Sequence, residues 1–232
     1  MEDQTVKAHD TPPAPMGRRQ VVALCGRLGV GKDALADALC RDAGFVNLKF
    51  ARPLKDALCG IFGLAPEHVD GDLKDVVHPA WGVTPRLLMQ WFGTDVMQHG
   101  LAAVVPHVGR TVWSERMRLE ILKLPANGAS RVVISDTRFQ HEVDMVRSLA
   151  AAGEADVLVV HVLCSAAAEH KTYRSEAAEA HESESGVDDL GPVDQIIVND
   201  GTLADLRAKL AIPAIPGIPA IPGIPGMDQA TL

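Results

Sequence analysis

Cysteine is sparse in this 232-residue chain, and the few present exclude two kinds of framework. Cys25, Cys40, Cys59 and Cys164 lie far apart, and none belongs to a C-x-x-C pair. Neither a zinc ribbon nor a disulfide scaffold fits that spacing. Their apolar neighbours mark them as reduced core thiols of an intracellular, cytoplasmic protein. Also missing is any apolar run approaching the roughly 18 residues that a membrane span needs, and the N-terminus lacks a basic region followed by an apolar one. Membrane insertion and secretion are therefore not expected. Positive charge is short too: 22 Lys and Arg against 30 Asp and Glu leave a net charge of −8, which argues against broad binding to nucleic acid or an anionic membrane. Only a local basic pocket stays open. With 47% hydrophobic and 22% charged residues the chain has the composition of a globular protein, long enough for one sizeable core.

What is present centres on Val21 to Asp33, VVALCGRLGVGKD. Val21, Val22, Ala23 and Leu24 are apolar without alternation, the pattern of a strand covered on both faces. Gly26, Gly29 and Gly31, with Arg27 and Val30 between them, form a loop whose backbone N–H groups can converge on an anion. Lys32 heads an expected helix, KDALADALCRDA, where it can reach the outer phosphates of a nucleotide beside the positive end of the helix dipole. Gly26, Gly31 and Lys32 fit the spacing G-x-x-x-x-G-K-[ST], but Asp33 replaces the hydroxyl that normally ligates magnesium. Its carboxylate either acts through the metal or a water, or serves as a helix N-terminal acid.

Residues 1–19 are polar and dotted with proline, so a disordered leader is expected there. The domain is expected over 20–210, followed over 211–232 by an extended tail in which Ile, Pro and a small residue repeat. Within the domain, FVNLKFA (45–51) reads as a second strand and Pro53 opens a helix, a βαβα beginning that favours a parallel sheet. Residues 64–83 read as a loop, either closing over a ligand or simply solvated. Thr84 and Pro85 start the helix TPRLLMQWFGTDVMQHG, in which Arg86, Gln90 and Thr94 recur at helical spacing, with Leu87, Leu88 and Trp91 beside them to pack inward. That face suits a phosphate and a base, or is the wet side of an amphipathic helix. The helix over 109–124 is assigned to packing, with Arg110 as a residue that could face a ligand. RVVISD (131–136) ends in Ser135 and Asp136, followed by Arg138 and, four residues beyond it, by Glu142, which is placed to orient it. In an open parallel sheet this is where a ligand sits; Asp136 suits magnesium and Arg138 a phosphate, unless the two pair as a structural salt bridge. DVLVVHVL (156–163) is a central strand, with His161 read as a core histidine. The charge-dense 165–190 segment reads as a helical flap or a solvated helix, VDQIIV (193–198) as the last strand, and TLADLRAKL as the terminal helix.

In this order GRLGVGKD, FARPLKDALCGIFGL, TPRLLMQWFGTDV, VISDTRFQHE, HESE and VNDGT resemble the deoxynucleoside monophosphate kinase family of phages and large DNA viruses. The resemblance covers roughly Val21 to Leu210. It implies an α/β P-loop kinase fold: a five-stranded parallel sheet flanked by helices, with a helical substrate-binding region and a lid. It implies ATP and Mg2+ as cofactors, held by Gly26, Arg27, Gly29, Val30, Gly31, Lys32, Asp33 and Ala34, with Asn199 and Gly201 bordering the adenine and Asp33 and Asp136 facing the metal. Lys55, Arg86, Gln90, Trp91, Thr94, Asp95 and Glu142 would meet the acceptor nucleotide. Asp136 and Arg138 would stand at the transfer site, Lys171 and Arg174 would be lid cations, and His181, Ser183 and Glu184 would lie in or beside the lid. Aspartate after the loop lysine is itself a family trait. Two departures stand out: Arg52 where relatives often read F-A-D-P, and Met97-Gln98 where an aromatic and an arginine commonly follow.

The reaction so implied is transfer of the γ-phosphoryl group of ATP to a deoxynucleoside monophosphate, in DNA precursor synthesis. The attacking phosphate oxygen is already ionised near neutral pH, so positioning and charge neutralisation suffice. The expected partners are small nucleotides, with a homodimer as the one macromolecular assembly, in the host cytoplasm if the chain is viral. Another small-molecule P-loop kinase, or a nucleotide-binding adaptor without turnover, are the other readings.

Overall fold

The computed structural model describes residues 18–126, 130–164 and 190–210. Its strands are β1 Arg19–Cys25, β2 Val46–Leu48, β3 Arg131–Thr137, β4 Ala155–Cys164 and β5 Gln195–Asn199. Its helices are α1 Lys32–Ala43, α2 Arg52–Phe62, α3 Pro66–Val69, α4 Pro85–Gln90, α5 Val112–Lys123, α6 Gln140–Ala151 and α7 Leu203–Lys209. All strand pairs are parallel, in the order β2-β3-β1-β4-β5. The central position of β1 explains its unbroken apolar run, because Val21 to Cys25 are covered on both faces and each is at most 2% exposed.

Alternate residues of the strands serve opposite faces. One face carries Val22, Leu24, Val133 and Val160 against Leu35 and Leu39 of α1 and Leu206 of α7. The other carries Val21, Ala23, Val132 and Ile134 against Ile121 of α5 and Val146 and Leu149 of α6. A smaller cluster, Leu58, Leu64, Val69 and Leu88, joins α2, α3 and α4 beside the sheet.

The expected strand over 45–51 is only three residues long, because the chain turns at Lys49 into α2. The expected loop over 64–83 contains α3 and a 3-10 turn, Asp72–Asp75. Thr84 Oγ1 accepts from the Leu87 amide to cap α4, as its sequence suggested, but the helix passes into π geometry over Trp91–His99. Leu87 and Trp91, expected to pack inward, are 52% and 47% exposed; they share an outward stripe while Leu88 alone of the three is buried. His161 lies within β4, between Cys25 of β1 and Ile196 of β5. The segments 1–17, 127–129, 165–189 and 211–232, and with them the leader, flap and tail expectations, lie outside the described residues.

The chain order reverses at β1, with β3 and then β4 taken to its two sides, so a crevice opens beyond the carboxyl ends of these strands. At that end the β1–β3 register slips, and Ser135 and Asp136 together oppose the single residue Leu24. Such a bulge re-aims side chains, here at the crevice.

Candidate active site

The glycine-rich turn joins β1 to α1 in a conformation that its glycines alone permit. Gly26 has φ +140°, and a Cβ there would stand 2.3 Å from the carbonyl oxygen of Val162. Gly31 has φ +103°, with a Cβ meeting Asn199 Nδ2 at 2.8 Å. The loop is fastened from across the sheet, because Asn199 Nδ2 donates to the carbonyl of Val30 at 3.0 Å. Asn199, expected beside the adenine, thus braces the loop. Gly201 lies just before Thr202, the cap of α7, whose hydroxyl accepts from the Asp205 amide. Lys32 is only 6% exposed, and its Nζ donates to the carbonyls of Gly26 at 2.6 Å and Arg27 at 2.7 Å. Its ammonium is therefore held over the loop, where a phosphate cradled by the same backbone would meet it. Asp33 and Ala34 are exposed in the first turn of α1.

Beyond β3 the acids play two different parts. Asp136 accepts from the amides of Phe50 at 2.9 Å and Ala51 at 3.0 Å, which ties the carboxyl end of β3 to the start of α2. Burial pushes its carboxyl above the usual range, and the amides and the nearby Arg138 and Lys49 offset this only in part. Glu142 is 5% exposed, and its Oε2 accepts from the amides of Arg138 at 2.7 Å and Phe139 at 3.0 Å. Burial drives its carboxyl to about 8, against those two amides and helped by the charge of Asp136. Glu142 was expected to orient Arg138 and meet the acceptor. In the fold it closes the first turn of α6 and fixes Arg138 through its backbone.

Lys49, which sequence reasoning passed over, joins the two halves of the site. Its Nζ donates to Asp33 Oδ1 at 2.7 Å, and Ser135 Oγ donates to the same oxygen at 3.0 Å. Burial raises the Asp33 carboxyl, but Lys49 and Ser135 outweigh it and hold it below its usual value. Lys49 itself, lowered by burial and raised more strongly by Asp33, stays above the ordinary lysine range. The one signal in the sequence was a lysine between the apolar Leu48 and Phe50, just after β2.

Lys49 also lines a cavity of about 480 Å³ between the β2–α2 junction and α5. Its charged lining includes Arg52, Lys55, Asp56, Asp70, Arg116 and Glu120, and its apolar lining Phe50, Trp113 and Met117. Lys55 donates to Asp70 at 2.5 Å, Arg52 pairs with Asp56 at 2.6 Å and Asp70 at 3.3 Å, and Arg116 pairs with Glu120. Trp113 is anchored by its Nε1, which donates to the carbonyl of Gly93 at 3.1 Å. The helix assigned to packing alone therefore also supplies a wall of this cavity.

Of the acceptor residues expected on the helix that starts at Thr84, Gln90, Trp91, Thr94 and Asp95 are brought to one cavity, and Arg86 is turned away from them. Arg86 forms a bidentate pair with Asp75, Nε to Oδ1 at 2.5 Å and Nη2 to Oδ2 at 2.9 Å. Gln90, Trp91, Thr94 and Asp95 line a second cavity of about 500 Å³ with Val83, Leu87 and Leu88. The π turn widens the helix after Gln90, yet Gln90 and Thr94 still face the same cavity. Gln98, one of the two departures from the family pattern, is buried at 8% exposure. Lys171, Arg174, His181, Ser183 and Glu184 lie outside the described residues.

Among the described residues no cluster of three or more His, Cys, Asp or Glu side chains is placed to hold a metal. Asp33 and Asp136 do offer hard oxygen donors, and magnesium, which keeps several waters, needs only one or two carboxylates beside the phosphates of a nucleotide. Both oxygens of Asp136 already accept an amide, whereas among the described residues Oδ2 of Asp33 accepts nothing. Asp33 is the better direct donor of the pair.

The family model described as deoxynucleotide monophosphate kinase matches residues 67–210, more than half of the chain. Its range starts after the phosphate loop, which therefore stands as separate evidence. A protein of Acanthamoeba polyphaga mimivirus described as a candidate deoxynucleotide monophosphate kinase is 35% identical over 133 residues, 56% of this chain and 69% of that protein. The deoxynucleotide monophosphate kinase of Enterobacteria phage T4 is 28% identical over 139 residues, 60% of this chain and 48% of its own length. Among solved structures, a gluconokinase from Sinorhizobium meliloti 1021 aligns with a TM-score of 0.43 at 14% identity, over 83% of this chain and 90% of that one. A dephospho-CoA kinase from Campylobacter jejuni aligns at 0.44 and 14% identity, over 82% and 92%. No helix among the described residues is long and apolar enough to cross a membrane. With a phosphate loop at the head of α1, a matched family model and a relative at this level of identity, the chain belongs to the deoxynucleotide monophosphate kinase family.

Proposed function

We propose that the protein moves the γ-phosphoryl group of ATP onto the phosphate of a deoxynucleoside monophosphate, giving the diphosphate and ADP. Family membership supports the reaction class, and one geometric observation carries the assignment of the two substrates. The cavity of about 480 Å³ is joined to the phosphate loop through Lys49, which lines the cavity while its Nζ is bound to Asp33 on α1. A donor held by the loop and an acceptor in the cavity would face each other across that pair.

In this reading the loop amides and Lys32 hold the outer phosphates of ATP, and the brace from Asn199 keeps the loop in shape for them. An acceptor phosphate oxygen, already ionised, attacks the γ-phosphorus. The bond from that phosphorus to the β,γ-bridging oxygen breaks, and ADP leaves with the electron pair. No proton need be taken from the acceptor, and no histidine or cysteine base is assigned. Arg138, fixed through its backbone by Glu142, neutralises charge on the group in transit. Magnesium, when bound, would screen charge on the phosphates, with Asp33 as the side chain able to hold it and Asp136 in support. Lys171 and Arg174 are proposed as further cations, and the lid as what excludes water. The setting is the cytoplasm, that of the host if the chain is viral, and the assembly a homodimer, which light scattering would test.

The test is ADP release from Mg-ATP with dGMP, dTMP, dCMP, dAMP and their ribose counterparts offered separately. Turnover that depends on one or a few deoxynucleotides is expected. ATP binding with no turnover across the panel would move the assignment to a different phosphorylated acceptor or to an adaptor.

A further inference from the structure

Four cations line the cavity of about 480 Å³, and three of them are matched inside it. Arg52 is paired with Asp56 and Asp70, Lys55 with Asp70, and Arg116 with Glu120, all carboxylates of the same lining. Lys49 differs. Its partner Asp33 is no part of the cavity wall but the second residue of α1, next to Lys32 of the phosphate loop. The pair is also open to water, with the side chains of Lys49 and Asp33 36% and 69% exposed, so little is lost in breaking it. A lysine on a four-carbon stem can turn from one anion to another without moving its backbone.

We propose that Lys49 is the acceptor-phosphate residue: it rests on Asp33 and turns to the phosphate of the incoming mononucleotide, at the boundary between donor loop and acceptor cavity. This rests on the acceptor being a nucleoside monophosphate in that cavity. A phosphate dianion offers more charge and more acceptor oxygens than the one carboxylate oxygen that Lys49 already shares with Ser135. Asp33, released from the lysine, keeps its hydrogen bond from Ser135. The same move brings a cation to the point where two anionic substrates must approach each other, so it lowers their repulsion as well as binding one of them.

The test is calorimetric binding of dGMP, dTMP, dCMP and dAMP without ATP, and of ATP alone, to the full chain and to K49M, K49R and D33N. The unmodified protein binds at least one of the four. K49M loses about tenfold or more in that affinity. K49R stays within about threefold of the unmodified protein, because it keeps the charge. D33N, in which the resting partner is weakened, binds the deoxynucleotide as tightly as the parent or more so. ATP affinity of K49M falls less than its deoxynucleotide affinity. Native deoxynucleotide affinity in K49M would overturn the inference alone, as would equal losses for both ligands. No binding of any of the four by the unmodified protein would overturn the acceptor reading itself. Should K49M fail to fold, K49Q takes its place, with the same tenfold loss expected and native affinity again contradictory.

Discussion

At the scale of single residues, Lys32 and Glu142 are buried ionisable groups with opposite consequences. Lys32 is satisfied by two loop carbonyls and sits where outer phosphates would lie. Lys32→Ala is expected to cut turnover by about a hundredfold or more, the scale of losing one preorganised charge donor. Its circular dichroism should be unchanged and its stability within about 2 kcal/mol of the parent. Retained turnover would remove the loop from the mechanism. Glu142 holds its proton up to about pH 8 in the folded state, while the unfolded chain ionises it near the ordinary glutamate value. The unfolded state then carries fewer protons between those two values, so stability contributed by the buried neutral acid is lost as pH rises from about 5 to 8. Glu142→Gln keeps an oxygen for the amides of Arg138 and Phe139 but cannot ionise. Its melting temperature should fall less across that range than the parent's. Parallel profiles would contradict the assignment.

At the scale of elements, the strand–loop–helix unit was legible because each piece has a local cause. The apolar run needs cover on both faces, the glycines need left-handed or crowded positions, and the lysine needs the helix start. Gly26→Ala tests this directly: with φ +140° and a Cβ 2.3 Å from the backbone of β4, it should cost about 3 kcal/mol or more by urea unfolding. Asn199→Ala removes only the brace to Val30, so about 1 kcal/mol and a weaker affinity for ATP are expected. An unchanged ATP affinity would mean that the loop keeps its shape unaided. What was not legible has equally physical causes. Of the face Arg86, Gln90, Thr94, the last two line one cavity and Arg86 leaves it, and no proline or glycine pair announces the π turn over Trp91–His99. Asp75 captures Arg86 from a turn that read as plain loop. Lys49 stayed unnoticed because its meaning lies in Asp33, a partner 16 residues away that only the turn after β2 brings near. Glu142 was seen as an orienter of Arg138, but as a side-chain partner four residues on; the acid at the third position of a helix pointed to the backbone instead.

At the scale of the molecule, the sheet order puts β1 between the strands that carry the rest of the site, so one crevice collects the phosphate loop, the bulge at Ser135 and Asp136, and the junction at Lys49. The charge distribution agrees with a ligand that is small. A net charge of −8 opposes any extended polyanion, while the cavity beside Lys49 gathers four cations beside three carboxylates. The central claim is that a phosphoryl group passes from ATP to a deoxynucleoside monophosphate. Its most direct measurement follows γ-32P-labelled ATP with magnesium and each of the four deoxynucleoside monophosphates, separating the products by chromatography. The label should appear in the β position of a deoxynucleoside diphosphate, with unlabelled ADP formed in equal amount. Label found only in inorganic phosphate, or left in ATP whichever acceptor is supplied, would contradict the account.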